Sequence, residues 1–103
     1  MVGDLFSRLQ DARQKIEEAK HSLNSIIIER ESQDKRIRVK ANANKVITSI
    51  EIAEELLEKD DKERLEDELT EVINNALEEA AQKGEEKMKE ITKDMLPNFP
   101  GLV

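Results

Sequence analysis

Cysteine, tryptophan and tyrosine are missing from this sequence, and its only aromatic side chains are Phe6 and Phe99. Without cysteine there is neither a disulfide nor a thiolate metal site, which fits a reducing compartment. With so few aromatics, a core has to be built from Leu, Ile, Val and Ala, a set suited to helix packing. Long apolar runs are lacking too: none approaches the roughly 18 residues of a membrane span. The opening MVGDLFSRLQ has no basic region followed by an apolar one, so it does not read as a secretory signal. The expected location is the cytoplasm.

Catalytic constellations are also lacking. A hydrolase or transferase needs several convergent groups. His21 is the single histidine; it falls on the solvent side of a heptad, and Glu17 and Glu18 do not complete a metal site with it. Gly3, Gly84 and Gly101 form no phosphate loop, and no serine stands beside a base that would activate it. The acidic run DDKERLEDE lacks the mid-loop glycine and ligand spacing of a calcium loop and reads as a solvated helix face. No enzymatic activity, small-molecule substrate, metal or cofactor is expected.

What the chain does have is charge, unevenly placed. Its 103 residues carry a net charge of −7, with residues 1–52 at +2 and residues 53–103 at −9. That length supports one small domain, whose stability is often supplemented by association. Leu5, Leu9, Ala12, Ile16, Ala19, Leu23 and Ile26 alternate spacings of four and three, a heptad seam that should pack lengthwise against another helix. The seam's flanking charges are all basic: Arg8, Arg13, Lys15 and Lys20.

The period then changes. Ile28 and Arg30 belong to a short strand that runs into the polar turn ESQD. Ile37, Val39 and Ala41 alternate with Arg36, Arg38 and Lys40, the mark of a half-buried strand. Asn42-Ala43-Asn44 supplies the reversal, because asparagine tolerates the left-handed backbone region, and Val46 to Ile52 forms the returning arm. Asp60 with Glu63 has the spacing of a capping box that opens a long helix. The apolar face of that helix runs from Leu65 through Leu69, Val72, Ile73, Ala76, Leu77, Ala80, Gly84, Met88 and Ile91 to Met95. Its small residues, Ala76, Ala80, Ala81 and Gly84, should admit a partner helix closely. Pro97 and Pro100 end regular structure, so residues 1–96 form the domain and 97–103 a short Pro/Gly-containing tail.

Two basic groups call for partners. Those flanking the first helix could pair with Glu66 and Glu68 beside the second helix's seam, within a chain or across a dimer. From Lys35 to Lys45 there are five bases and no acid, so Arg36, Arg38 and Lys40 should share a face that nothing nearby neutralises. Such a face is either an edge protected by charge against aggregation or a phosphate-binding surface. The total charge does not forbid phosphate, since charges beyond about 8 Å are largely screened at physiological salt. No helix-turn-helix, zinc finger or stacking aromatic on the strands offers base-specific reading.

The phrase SIEIAEELLEKDDKERLEDELTEVINNALEEA resembles the YbaB/EbfC family of nucleoid-associated proteins, in Ile50-Glu51-Ile52, Leu56-Leu57, Asp60 or Asp61, Leu65-Glu66-Asp67 and Asn75-Ala76. The ending MLPNFPGLV is similar to the family's own. The resemblance covers nearly the whole chain. It implies an α+β homodimer of helix, three-stranded antiparallel meander and long C-terminal helix, resident in the nucleoid, that binds DNA with little sequence specificity and alters its conformation. The sequence departs from the family pattern at Ala43 in the hairpin turn, at Ala53-Glu54 where Asp-Pro is common, and at Thr48 and Ser49 where relatives often carry bases. The expected DNA contacts are Arg36, Arg38, Lys40 and Lys45, supported by Arg30 and Lys35, without any membrane association. The other reading is a protein-interaction module, a prefoldin-like chaperone or adaptor, although a first helix of about 25 residues is short for coiled-coil tentacles.

Overall fold

The computed structural model describes residues 2–95; the tail expected at 97–103 and Phe99 lie outside the described residues. Helix α1 spans Val2–Ser22. It gives way at Leu23–Ser25 to a 3-10 turn, where the Ser22 hydroxyl donates back to the Ala19 carbonyl at 2.6 Å. The β-branched run Ile26-Ile27-Ile28 then favours extended backbone, and strand β1 occupies Ile27–Glu31. Strand β2 is Ile37–Asn42 and β3 is Val46–Ile52. Both pairings are antiparallel in the order β1-β2-β3, a meander, with a register shift between Lys40 and Ala41. Two 3-10 turns, Glu54–Leu57 and Lys59–Asp61, lead into helix α2, Lys62–Met95.

The alternation read from the sequence decides which sheet face is covered. Ile37, Val39 and Ala41 are fully buried and pack with Leu56, Val72 and Ala76. Leu23, Ile28, Ala43 and Ala80 form a second cluster beside the first. Helix α2 lies across β1 and β2 and only skirts β3. The small residues of α2 therefore admit the sheet and its hairpin within the chain, where the sequence suggested a partner helix. Gly84 is the extreme case: a Cβ there would stand 2.5 Å from the Ala43 carbonyl oxygen. Ile50 of β3, which α2 only skirts, remains 44% exposed, and Val46 at the start of β3 and Leu57 in the following 3-10 turn are 51% and 63% exposed.

Other expectations change in detail. The heptad seam is buried only toward its end, at Ala19 and Leu23; its early residues Leu5 and Leu9, with the neighbouring Phe6, are each 61% exposed. The molecule is correspondingly elongated, 70 × 22 × 16 Å. Among the described hydrogen bonds, none is donated by the Glu63 N–H to the Asp60 carboxylate; α2 instead continues from the 3-10 turn that Asp61 N–H closes on the Glu58 carbonyl at 3.0 Å. The left-handed residues are Lys35 and Lys45, not the asparagines. Asn42 and Asn44 act through their side chains: the Asn42 Oδ1 accepts from Asn44 N–H at 2.9 Å. The Asn44 amide donates to the Lys20 carbonyl at 2.8 Å and to Asn24 Oδ1 at 2.7 Å. The asparagines thus tie the hairpin to the end of α1.

Candidate nucleic-acid interface

Strand β2 carries Arg38 and Lys40 on the face of the sheet turned away from α2, opposite Glu31 and Glu29 of β1 and Glu51 and Ser49 of β3. The face is not free of acid, as the gap between Lys35 and Lys45 suggested. The Arg38 guanidinium lies 2.9 Å from Glu29, 3.2 Å from Glu31 and 3.6 Å from Glu51. A run of bases in sequence says nothing about the strands paired on either side. Period-two spacing of Glu29 and Glu31 in the preceding strand was the available signal. Glu29, Glu31 and Glu51 outnumber Arg38 and Lys40, so the middle of this face has no net positive charge.

The remaining expected contacts are dispersed. Arg36 lies at the entry to β2, 3.7 Å from Asp34 and 3.9 Å from Glu55. Arg30 is opposite Val39, hence on the covered side of the sheet, and donates to Glu79 of α2 at 3.0 Å. Arg30 thus fastens the sheet to the helix and does not share the face of Arg38 and Lys40. Lys35 and Lys45 occupy the two turns, at opposite ends of β2, and both are exposed. Among the described residues, Lys35, Lys40 and Lys45 are in no ion pair. The three lysines therefore keep their charge available, while the three arginines are engaged with carboxylates.

A cluster that the sequence reading missed holds the β1–β2 turn. The Ser32 hydroxyl donates to Asp34 Oδ1 at 2.7 Å, and Arg36 N–H donates to the same oxygen at 3.1 Å. Arg64 of α2 reaches Asp34 Oδ2 at 2.6 Å and Glu68 at 3.1 Å. The Ser32 hydrogen bond first, then the Arg36 amide, hold the Asp34 carboxyl below its ordinary pKa. The hydrogen bond to Glu68 pushes Arg64 above the usual guanidinium value. Nothing in the spacing of Asp34 and Arg64, thirty residues apart, signals this contact.

Within the chain, the bases of α1 do not meet the acids at the start of α2. Lys20, Leu23, Gly84, Glu85 and Met88 border one cleft of about 390 Å³, together with Ala43, Asn44 and Lys45, so α1 ends on the C-terminal half of α2. Glu68 lies sixteen residues before Gly84, roughly 24 Å along the helix axis at 1.5 Å per residue. Glu66 and Glu68 pair instead with Lys62 and Arg64 of their own helix, and Lys20 with Glu17 at 3.9 Å. His21 is exposed on α1. No group of carboxylates or histidine among the described residues is arranged to hold a metal ion, and no described helix is long and apolar enough to cross a membrane.

Comparison with known proteins gives a consistent outcome. The YbaB/EbfC DNA-binding family model matches residues 1–95. A nucleoid-associated protein of Flavobacterium johnsoniae is 33% identical over 98 residues, which cover 95% of this chain and 91% of that protein. One from Oceanobacillus iheyensis is 28% identical over 101 residues, covering 98% and 95%. Among solved structures, the crystal structure of an uncharacterized protein from Helicobacter pylori matches with a TM-score of 0.61 at 20% identity. That match covers 85% of this chain and 98% of the other, and shows a shared fold.

Proposed function

The chain belongs to the YbaB/EbfC DNA-binding family, and from that premise we propose a single-domain, homodimeric protein of the cytoplasm and nucleoid. In this reading it binds duplex DNA through phosphates, with little sequence preference, and changes the conformation of the DNA it covers. It is a binding protein and not an enzyme. The family match over residues 1–95 carries the DNA reading. For the contacts, the ion pairs of the sheet favour Lys40, Lys35 and Lys45, doubled by the dimer. Arg38, Arg36 and Arg30 contribute less, because their carboxylate partners would have to be displaced first. The two-fold contact is expected at β3, where an open strand edge lies beside exposed Val46, Ile50 and Leu57; unpaired edges and apolar surface of this kind favour pairing with another chain.

A mobility-shift titration of random-sequence duplex across salt tests this. Counterion release gives a slope in log affinity against log salt of roughly −0.9 per phosphate contacted. The Lys35→Ala, Lys40→Ala, Lys45→Ala triple variant should bind more weakly with a shallower slope. Wild-type affinity and slope in that variant would remove the site, and absence of any shift by the wild type would remove the DNA reading.

A further inference from the structure

The chain makes the same turn twice. In Ser32–Lys35 the first residue's carbonyl accepts from the lysine N–H at 2.9 Å, and in Asn42–Lys45 at 3.0 Å. Each turn is braced by the side chain of its first residue. The Ser32 hydroxyl accepts from Ile37 N–H at 3.1 Å, and Asn42 Oδ1 from Asn44 N–H at 2.9 Å. In each, the closing residue has a left-handed backbone, φ 62° at Lys35 and 64° at Lys45, and these are the only two such non-glycine residues among those described. Glycine enters this region freely, whereas a Cβ strains it. Asparagine tolerates it better than most residues, and asparagine stands at 44, next to the strained position but not in it.

Packing does not call for lysine at either site, since both side chains are exposed. Neither joins an ion pair among the described residues, although the intervening Arg38 meets three carboxylates. What the two positions share is a cation at each end of β2, on either side of a middle where three carboxylates outnumber two bases. A strand rise of roughly 3.3 Å per residue places the two turns about 20 Å apart. On a duplex with one charge per ~1.7 Å of axis, two cations that far apart touch different phosphates and fix the direction in which the sheet lies. Strained backbone held by a rigid surround is found at functional positions.

We propose that Lys35 and Lys45 form a two-point phosphate clamp that orients the sheet on DNA, each held in a left-handed turn at the expense of fold stability. This rests on the DNA-binding reading above and adds to it an opposition between stability and binding. The test substitutes each lysine by Gly, Ala and Arg, with Lys62→Gln, at the acidic start of α2, as the charge control. Thermal unfolding and the salt dependence of random-duplex binding are measured for all. Lys35→Gly and Lys45→Gly should raise Tm by several degrees while flattening the salt slope by roughly 0.9 for each phosphate no longer held. The Ala variants should bind as weakly as the Gly variants without the gain in Tm. The Arg variants should bind as wild type, and Lys62→Gln should leave the slope unchanged.

No binding by the wild type overturns the family-based reading and the clamp together. Wild-type binding with an unchanged slope in both Gly variants overturns the clamp alone. A Tm that falls in either Gly variant overturns the strain argument on which it stands.

Discussion

Gly84→Ala is a substitution whose sign separates local helix preference from tertiary packing. In an open helix interior, alanine is favoured over glycine by about 0.8–1 kcal/mol. At position 84 the added Cβ would stand 2.5 Å from the Ala43 carbonyl oxygen, 3.6 Å from its carbonyl carbon and 3.7 Å from Leu23 Cδ1. Ordinary contact begins near 3.4 Å, so helix and hairpin must separate by roughly 0.9 Å. The atom in the way belongs to backbone, and that backbone is itself tethered: Ala43 N–H donates to the Ile26 carbonyl at 3.0 Å and the Leu23 carbonyl at 3.2 Å. Overpacking of this kind costs about 1–3 kcal/mol. After the helix-propensity gain is subtracted, Gly84→Ala should destabilise the fold by up to about 2 kcal/mol. Gly3→Ala is the control, since nothing lies within 4 Å of a Cβ there; it should be neutral to slightly stabilising. The assay is thermal and urea unfolding at matched protein concentration, because the stability of any chain that self-associates depends on concentration. A Gly84→Ala protein more stable than wild type by the full helix-propensity gain would refute the close approach of α2 to the hairpin.

Two further outcomes follow from the charge network. Arg38→Ala leaves Glu29, Glu31 and Glu51 facing one another without their shared cation. Exposed pairs contribute only about 0–1 kcal/mol each, so a loss near 1 kcal/mol is expected, recovering at high salt as repulsion is screened; a loss independent of salt would contradict it. The lowered Asp34 pKa means that its turn contacts support the fold above the ordinary aspartate value. That support is lost as pH falls through the lowered folded value. Wild type and Asp34→Asn should therefore differ in stability near neutral pH and converge under acid, and parallel pH profiles would show that the Ser32–Asp34–Arg36 contacts do not bear on stability.

Most of the fold is legible in the residues because its signals are local. Alternation of Ile37, Val39 and Ala41 with bases identifies β2 and its covered face, and the apolar rows of residues 2–22 and 62–95 identify the helices. The heptad seam is the instructive partial case. Its spacing identifies a helix correctly, yet spacing cannot tell how much of the seam a neighbour covers, and within the chain only the end from Ala19 onward is covered. The candidate site is less legible. Arg30 and Arg38 are two positions of the same kind in sequence, but one faces α2 and Glu79 while the other faces three carboxylates on the open side of the sheet. Strand pairing determines that difference.

Element types and their order, the apolar make-up of the core and the family all follow from the residues themselves, since each depends on neighbours a few residues apart or on a pattern spanning the chain. Which bases remain available follows only from the folded arrangement. It sets Glu29, Glu31 and Glu51 around Arg38 and Glu79 against Arg30, and leaves Lys35, Lys40 and Lys45 without such partners among the described residues. It also puts the left-handed strain on the two turn lysines and presses Gly84 against Ala43. The difference is one of range: backbone preference acts between adjacent residues, while Coulomb attraction and steric contact act through space, between residues that only the fold brings together.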